Sequence, residues 1–263
     1  MDVSQFRHLV IFLSVLLGCS PVRAQNPNTE ISDFNALSEQ FLTNIKKGRS
    51  TLDIRTQLYQ TTLEDLEEGL GTDREKLAFW INIYNAYIQV LLSENPDLYR
   101  DRDAFFENER IPLAGRMVSF DKIEHGIIRK SQWKLGGGIV RKWFPDEFER
   151  RLRVEEPDYR IHFALNCGAI DCPPVAIYRP EILERQFENG AKSFLQRISE
   201  YSSTKGEVRT TPLFSWFRGD FGFESGVKDI LLHYGIIPRT EQIDVTYKEY
   251  DWTLDLDNFT FEF

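Results

Sequence analysis

A long apolar segment predicts the central element of this protein, a buried helix over Asp73–Leu92. Its body, LAFWINIYNAYIQVLL, is apolar nearly all round, which indicates burial on most sides. Thr72 and Glu75 have the spacing of a capping box, in which each side chain satisfies the other residue's backbone N–H. Asn95 and Pro96 then end the helix, because a residue before proline disfavours helical geometry.

Three amides interrupt this apolar helix on a single stripe. Asn82, Asn85 and Gln89 follow one another at spacings of three and four residues. An unpaired buried amide costs about 1–3 kcal/mol, so the stripe must face partners, water or a cleft. The pattern favours amides that hold neighbouring loops. The alternative is a direct role, in which Asn82 or Asn85 donates a hydrogen bond to an oxyanion.

Other segments alternate between helical and strand-like patterns. Helical spacing predicts amphipathic helices over Ile31–Ile45, Pro180–Tyr201 and Glu224–Tyr234, and a short helix from Asp121. Strand-like patterns predict a hairpin over Arg110–Phe120 and a strand over Ile161–Leu165. Together they predict an α+β fold, with a buried central helix and amphipathic helices around a small, mainly antiparallel sheet.

The amino terminus has the pattern of a targeting segment. Arg7 precedes an apolar run over Leu9–Gly18, which has the length of a signal-peptide core and is too short to span a bilayer. We therefore predict a signal peptide over 1–24 and an exported protein, periplasmic or extracellular. The alternative is a lipoprotein whose membrane anchor is a lipidated Cys19. Leu17 is bulky where lipoprotein motifs prefer a small residue, which favours simple secretion.

After the signal peptide we predict a linker and helix over 25–50 and a single globular domain over 51–263. The net charge of −9 comes from dispersed acids without a basic stripe, which argues against a nucleic-acid partner. No later segment is long and apolar enough for a transmembrane helix. The triple glycine over Gly136–Gly138 lacks the spacing of a phosphate loop, and no motif indicates a cofactor.

The candidate chemistry centres on Arg160–Pro174, which reads RIHFALNCGAIDCPP. It contains Cys167 and Cys172, the cysteines that a chain cleaved after residue 24 would keep. In a cysteine hydrolase or acyltransferase, Cys167 would attack a substrate and a histidine would act as base. We favour His125 over the nearby His162, because the histidine of such a pair usually comes from a separate element.

Further residues complete this catalytic hypothesis. Glu124 or Asp251 would orient His125, and Arg129 shares a helical face with that histidine. Adjacent residues on a helix diverge by about 100 degrees, so the sequence alone does not bring Glu124 and His125 into contact.

Two other interpretations of the cysteines stay open. Exported chains meet oxidising conditions, so Cys167 and Cys172 could form a disulfide, which for so small a ring contributes only about 2 kcal/mol. A metal site with His162 lacks an evident fourth ligand, and we predict none. A bridged pair would fit a second class of function, a non-catalytic module that binds a peptide or sugar.

The aromatic residues around Arg218 and Asp220 bear on that second class. They resemble core and loop anchors more than a ligand platform, and they are Phe214, Trp216, Phe217, Phe221 and Phe223. The expected partner in either class is a small-molecule or peptide ligand, and the sequence does not decide between an enzyme and a binding module.

Four motifs in order give the chain a family resemblance. They are WINIYN (Trp80–Asn85), IEHGIIR (Ile123–Arg129), HFALNCGAIDCPP (His162–Pro174) and YDWTLD (Tyr250–Asp255). Over Asp73–Leu256 the chain resembles the domain of unknown function 547 family.

The resemblance implies an exported bacterial protein and carries no particular activity. It also implies one site that combines members of these motifs. The residues of that implied site are Trp80, Asn82, Asn85, Glu124, His125 and Cys167.

Overall fold

The apolar helix occupies the middle of the main hydrophobic core in the computed structural model, which describes residues 33–260. Helix α4 spans Asp73–Glu94, and nearly all its residues from Leu77 to Leu92 are buried. Both hydrogen bonds of the predicted capping box between Thr72 and Glu75 are present. The prediction of a buried central helix is therefore confirmed.

From residue 33 onward, three helices precede α4. They are α1 (Phe34–Lys46), α2 (Leu52–Gln60) and α3 (Leu63–Gly69). The side chain of Asp33 caps α1 by accepting a hydrogen bond from a backbone N–H. Helix α1 packs along α4. The predicted signal peptide and Cys19 lie outside the described residues.

A short helix and a hairpin follow α4. Helix α5 (Arg102–Glu107) leads into strands β1 (Ile111–Leu113) and β2 (Arg116–Val118). The strands are antiparallel, with Ile111 opposite Val118, which confirms the predicted hairpin.

The segment after the hairpin is a π-helix over Lys122–Ile128 rather than an ordinary helical turn. The N–H of Arg129 donates to the carbonyl of Glu124, five residues earlier, at 2.9 Å. This spacing is that of a π-helix, whose turn is wider than that of an α-helix. Gly126 packs against Glu149 of α6 (Glu147–Leu152), so closely that a β-carbon would lie 2.8 Å from the carboxyl carbon. This contact fixes the π-helix against its neighbour.

The predicted strand over Ile161–Leu165 is wrong. The chain forms a 3₁₀ helix over Tyr159–Phe163, and the side chain of Asp158 caps it. All residues from Ile161 to Leu165 are buried, so apolar alternation there reflects burial on every side and not a two-faced strand.

The remaining helices and strands follow the 3₁₀ helix along the chain. They are α7 (Leu183–Ile198), β3 (Glu200–Ser202), β4 (Glu207–Thr210), α8 (Leu213–Trp216), α9 (Phe223–His233) and β5 (Asp244–Tyr247). The strands form one sheet in the order β3-β4-β5, antiparallel in the first pair and parallel in the second. The predicted helix over Pro180–Tyr201 is too long, because it is preceded by a 3₁₀ turn and Tyr201 pairs in β3.

Two hydrophobic clusters meet along the 3₁₀ helix of Tyr159–Phe163. Ile161 and Leu165 belong to the cluster around α4, whereas Phe163 belongs to the cluster of α7, α8 and α9. The architecture is α+β, as predicted. Within residues 33–260, no helix combines the length and apolarity needed to cross a bilayer.

Candidate functional site

A cleft of about 210 Å³ opens where the π-helix, α8 and the chain after β5 come together. Its polar lining comes from Asp103, Asp121, Glu124, His125, Lys134, His162 and Cys167. Its aromatic lining comes from Tyr84, Phe106, Trp216, Phe217, Tyr250 and Trp252. The cleft therefore brings together four residues of the sequence hypothesis: Glu124, His125, His162 and Cys167.

The cysteine of this cleft is not a thiol. The sulfur atoms of Cys167 and Cys172 are joined at 1.97 Å, with their α-carbons 5.9 Å apart. Of the three interpretations of these cysteines, the structure contains the disulfide. Cys167 is half-buried and borders the cleft, whereas Cys172 is fully buried behind it.

The tautomer of His125 is fixed by a buried arginine. Nη1 of Arg129 donates to Nδ1 of His125 at 2.7 Å, and a guanidinium has only hydrogens to offer. The ring is therefore neutral, with its proton on Nε2, which lies 3.7 Å from Oδ1 of Asp121. Burial, reinforced by the charge of Arg129, holds the pKa of His125 well below its usual range. His125 is consequently a hydrogen-bond donor. It does not fit the predicted role of base, because Nδ1 already accepts from Arg129 and Nε2 carries the proton.

His162 is held in the complementary state by Asp220. Its Nε2 donates to Oδ2 of Asp220 at 2.8 Å, which leaves Nδ1 as the unprotonated acceptor. Burial lowers the pKa of His162 to about 4, although the bond to Asp220 opposes that shift. Burial also acts to raise the pKa of Asp220, but hydrogen bonds from His162 and Arg129 outweigh it and bring it to about 2.

The ring of Phe217 packs against two residues of this network, His162 and Arg129. Phe217 stacks on the His162 ring with centroids 4.0 Å apart, and the Arg129 guanidinium lies 4.7 Å from the centroid of the same ring. These contacts fix the orientation of the histidine and the arginine.

Glu124 is the acid with the most altered ionisation in the cleft. Burial raises the pKa of its carboxyl to about 7, against the opposing charge of Arg129. Its Oε1 lies 3.7 Å from Nδ1 of His125, so the π-helix does bring these adjacent residues near one another. Burial also raises the pKa of Asp121, which pairs with Lys134 at 2.8 Å.

Three aromatic rings form the opposite wall, which we call the aromatic wall: Trp216, Tyr250 and Trp252. The two tryptophans are stacked with centroids 5.7 Å apart, and Tyr250 lies 4.6 Å from Trp252. Trp216 is 41% exposed, so the wall is open to a ligand.

The amide stripe of α4 lies outside the cleft and binds backbone. Asn82 pairs with both backbone polar groups of Tyr178, and Asn85 bonds to the carbonyl of Ala164 and the N–H of Asn166. Gln89 accepts from the backbone N–H of residue 257. The amides hold neighbouring loops, as the pattern favours, and those of Asn82 and Asn85 are already engaged.

Three further members of the hypothesis are not in the cleft lining: Arg129, Trp80 and Asp251. Arg129 instead bonds to His125 and Asp220. Trp80 is fully buried and packs edge-on against Phe79 and Phe148. Asp251 is exposed and accepts from the backbone N–H of Thr253, so it does not orient His125. Its own N–H instead donates to the carboxylate of Asp171 at 2.8 Å, which ties it to the disulfide loop.

The sequence motifs assigned no role in the site to Asp121, Lys134 or Asp220. Asp220 lies 58 residues from its partner His162, and only its position inside the aromatic run FRGDFG could have marked it. Tyr250 was named only as part of a motif, although its hydroxyl lies 3.3 Å from the sulfur of Cys167.

Comparison with curated proteins found no match, and comparison with solved structures found none either. Residues 69–195 match the model of one family, described as a protein of unknown function, DUF547. That segment contains α4, the π-helix and the disulfide loop, and therefore most of the polar lining of the cleft. By this match residues 69–195 of the chain form a domain of the DUF547 family.

Proposed function

We propose that the protein is a ligand-binding module. Its cleft binds a small molecule or a peptide terminus in which an ammonium group is attached to an apolar or aromatic group. The observation that carries this proposal is the pairing of carboxyl groups with an open aromatic wall in one cleft. The bridged cysteines agree with it, because binding needs no free thiol.

The charges of the cleft favour a cation. Three carboxyl groups line it, those of Asp103, Asp121 and Glu124, against one lysine, Lys134. Lys134 is itself engaged by Asp121 and Glu107, at 2.8 and 2.9 Å. The ion pairs of Lys134 are thus with Asp121 and Glu107, and a ligand ammonium group can pair with Asp103 or Glu124.

The aromatic wall suits the same ligand. Tryptophan faces attract cations through their quadrupole and pack well against flat or apolar groups. Trp216 and Trp252 line the cleft that holds Glu124, and one cation, the Arg102 guanidinium, already lies 4.8 Å from the centroid of the Trp252 ring. The exposed face of Trp216 is therefore the one that a ligand would use. A primary amine with an aromatic tail would use both features.

The test is a titration of tryptophan fluorescence with phenethylamine and, as its counterpart of opposite charge, 3-phenylpropionate. At pH 8, where Glu124 is ionised, phenethylamine should change the emission saturably and 3-phenylpropionate should not. Glu124→Gln should weaken amine binding roughly tenfold, the value of a charge-assisted hydrogen bond. The exposed Glu241→Gln serves as the matched control and should leave binding unchanged. Equal binding of both probes, or of neither, would refute the proposal.

A second candidate is the cysteine hydrolase or acyltransferase. It is favoured by the His162–Asp220 pair, which supplies an oriented, neutral imidazole in the cleft that Cys167 borders. This activity requires prior reduction of the disulfide, and His162 rather than His125 would be the base. Hydrolysis of p-nitrophenyl acetate that appears only after reduction, and disappears in Cys167→Ser, would support it. Equal rates in the oxidised and reduced protein would exclude it.

A further inference from the structure

We infer a further activity, independent of the proposed ligand binding: the Cys167–Cys172 disulfide exchanges with thiol substrates, with Cys167 as the attacked sulfur and Cys172 as the leaving thiolate. The inference rests on the unequal surroundings of the two sulfur atoms and on how the loop between them is held.

The two cysteines differ in access. Cys167 is half-buried and borders the cleft, so a thiolate that enters the cleft can reach its sulfur. Cys172 has no exposed surface. Because thiol–disulfide exchange depends on access to the attacked sulfur, attack is directed to Cys167.

Three hydrogen-bond donors converge on the buried sulfur. The backbone N–H groups of Cys167 and Ala169 donate to Sγ of Cys172 at 3.1 and 3.2 Å. The hydroxyl of Tyr250 lies 3.3 Å from the same atom and 3.3 Å from Sγ of Cys167, so the two backbone donors distinguish the sulfurs and the hydroxyl can turn to Cys172 as its charge develops. Donors of this kind stabilise a thiolate far more than a disulfide sulfur, so they favour Cys172 as leaving group.

The loop between the cysteines is held without the disulfide. Asn166 donates to the carbonyl of Pro173 and accepts from the N–H of Gly168, so one side chain closes the loop at both ends. The loop is also bonded to the chain after β5, through the N–H of Ile170 and the carbonyl of Thr253 at 2.9 Å. A six-residue ring contributes only about 2 kcal/mol, so opening it leaves the loop in place.

The chemistry balances with thiols as the reductant. A substrate thiolate attacks Sγ of Cys167, the bond to Cys172 breaks, and Cys172 leaves as a thiolate. A second substrate thiolate then attacks the substrate sulfur of the mixed disulfide and releases Cys167. Two thiols become one disulfide, and the two electrons reside on the protein as a dithiol.

The first test measures how fast excess dithiothreitol reduces the oxidised protein, by acid quench and mass spectrometry. The wild-type disulfide should react faster than oxidised glutathione under the same conditions. Tyr250→Phe removes one donor from the leaving sulfur and should slow the reaction roughly tenfold. Tyr247→Phe, on exposed strand β5, is the matched control and should react like the wild type. Equal rates for Tyr250→Phe and the wild type would overturn the inference.

The second test identifies the attacked sulfur. Hydroxyethyl disulfide should form a mixed disulfide on Cys167 in the Cys172→Ser variant, and should leave Cys172 unmodified in Cys167→Ser. Comparable modification of Cys172 would contradict the assignment. Near-UV circular dichroism reports whether each variant is folded, and if either is not, the wild-type and tyrosine-variant rates still decide the question.

Discussion

At the scale of single residues, Arg129 determines the state of the site. It is 1% exposed, donates to Nδ1 of His125 and to Oδ2 of Asp220, and lies over the ring of Phe217. Because it offers only donors, it makes His125 a donor toward the cleft, and through Asp220 it shares the carboxylate that orients His162. One buried cation thus sets the tautomer of His125 directly, and Asp220, which it holds, sets that of His162.

Glu124 gives a prediction at this same scale. Its folded pKa of about 7 lies above the ordinary value of 4.5, so the folded protein keeps a proton that the unfolded chain releases near pH 4.5. The contribution of Glu124 to stability is therefore fully present below pH 4.5 and is lost as pH rises through about 7. The loss should amount to up to about 3 kcal/mol.

Urea unfolding of wild type and Glu124→Gln between pH 4.5 and 8 measures this effect. The difference in unfolding free energy between them should shift in favour of the glutamine variant as pH rises. Glu241→Gln should run parallel to the wild type throughout. A difference between wild type and Glu124→Gln that does not change with pH would show that Glu124 ionises normally.

At the scale of elements, regular helices were predictable and the elements that build the site were not. Helix α4 carries its capping box and its burial in its own residues, so local pattern suffices. The π-helix depends on the close packing of Gly126 against Glu149, which belongs to a different helix. The 3₁₀ helix of Tyr159–Phe163 is buried on all sides, which removes the periodicity that identifies an element.

The capping box of α4 allows a matched test at this scale. Thr72 caps α4 through its hydroxyl, whereas Thr51 stands at the same position of α2 without a side-chain cap bond. Thr72→Ala should lower the free energy of unfolding by about 1 kcal/mol, and Thr51→Ala should have an effect near zero. Thermal or urea unfolding of the two variants checks the difference. Equal losses would mean that the cap bond contributes nothing.

At the scale of the whole molecule, the site lies where two hydrophobic clusters meet. The polar lining comes mostly from the chain that surrounds α4, whereas Trp216 ends α8 and Asp220, the partner of His162, lies in the loop after it. Sequence motifs indicated Glu124, His125 and Cys167, because these stand in short recognisable runs. They could not indicate Asp220 as the partner of His162, because that contact depends on how distant segments pack.

The dependence on packing also explains why the sequence pointed to a direct catalytic role for two residues that have a structural one. Asn82 and Asn85 are polar residues in an apolar helix, which marks them as constrained without saying by what. Their partners are backbone groups of Tyr178, Ala164 and Asn166, each about 80 or more residues away. Only the packed structure separates an amide that supports a site from one that acts in it.

The central claim is that the cleft recognises an ammonium group on an aromatic body, and a crystal structure with phenethylamine tests it most directly. The account predicts the ammonium about 3 Å from a carboxylate oxygen of Glu124 or Asp103, with the phenyl ring against the aromatic wall. Phenethylamine bound elsewhere on the protein, or 3-phenylpropionate bound in the same place and orientation, would contradict it.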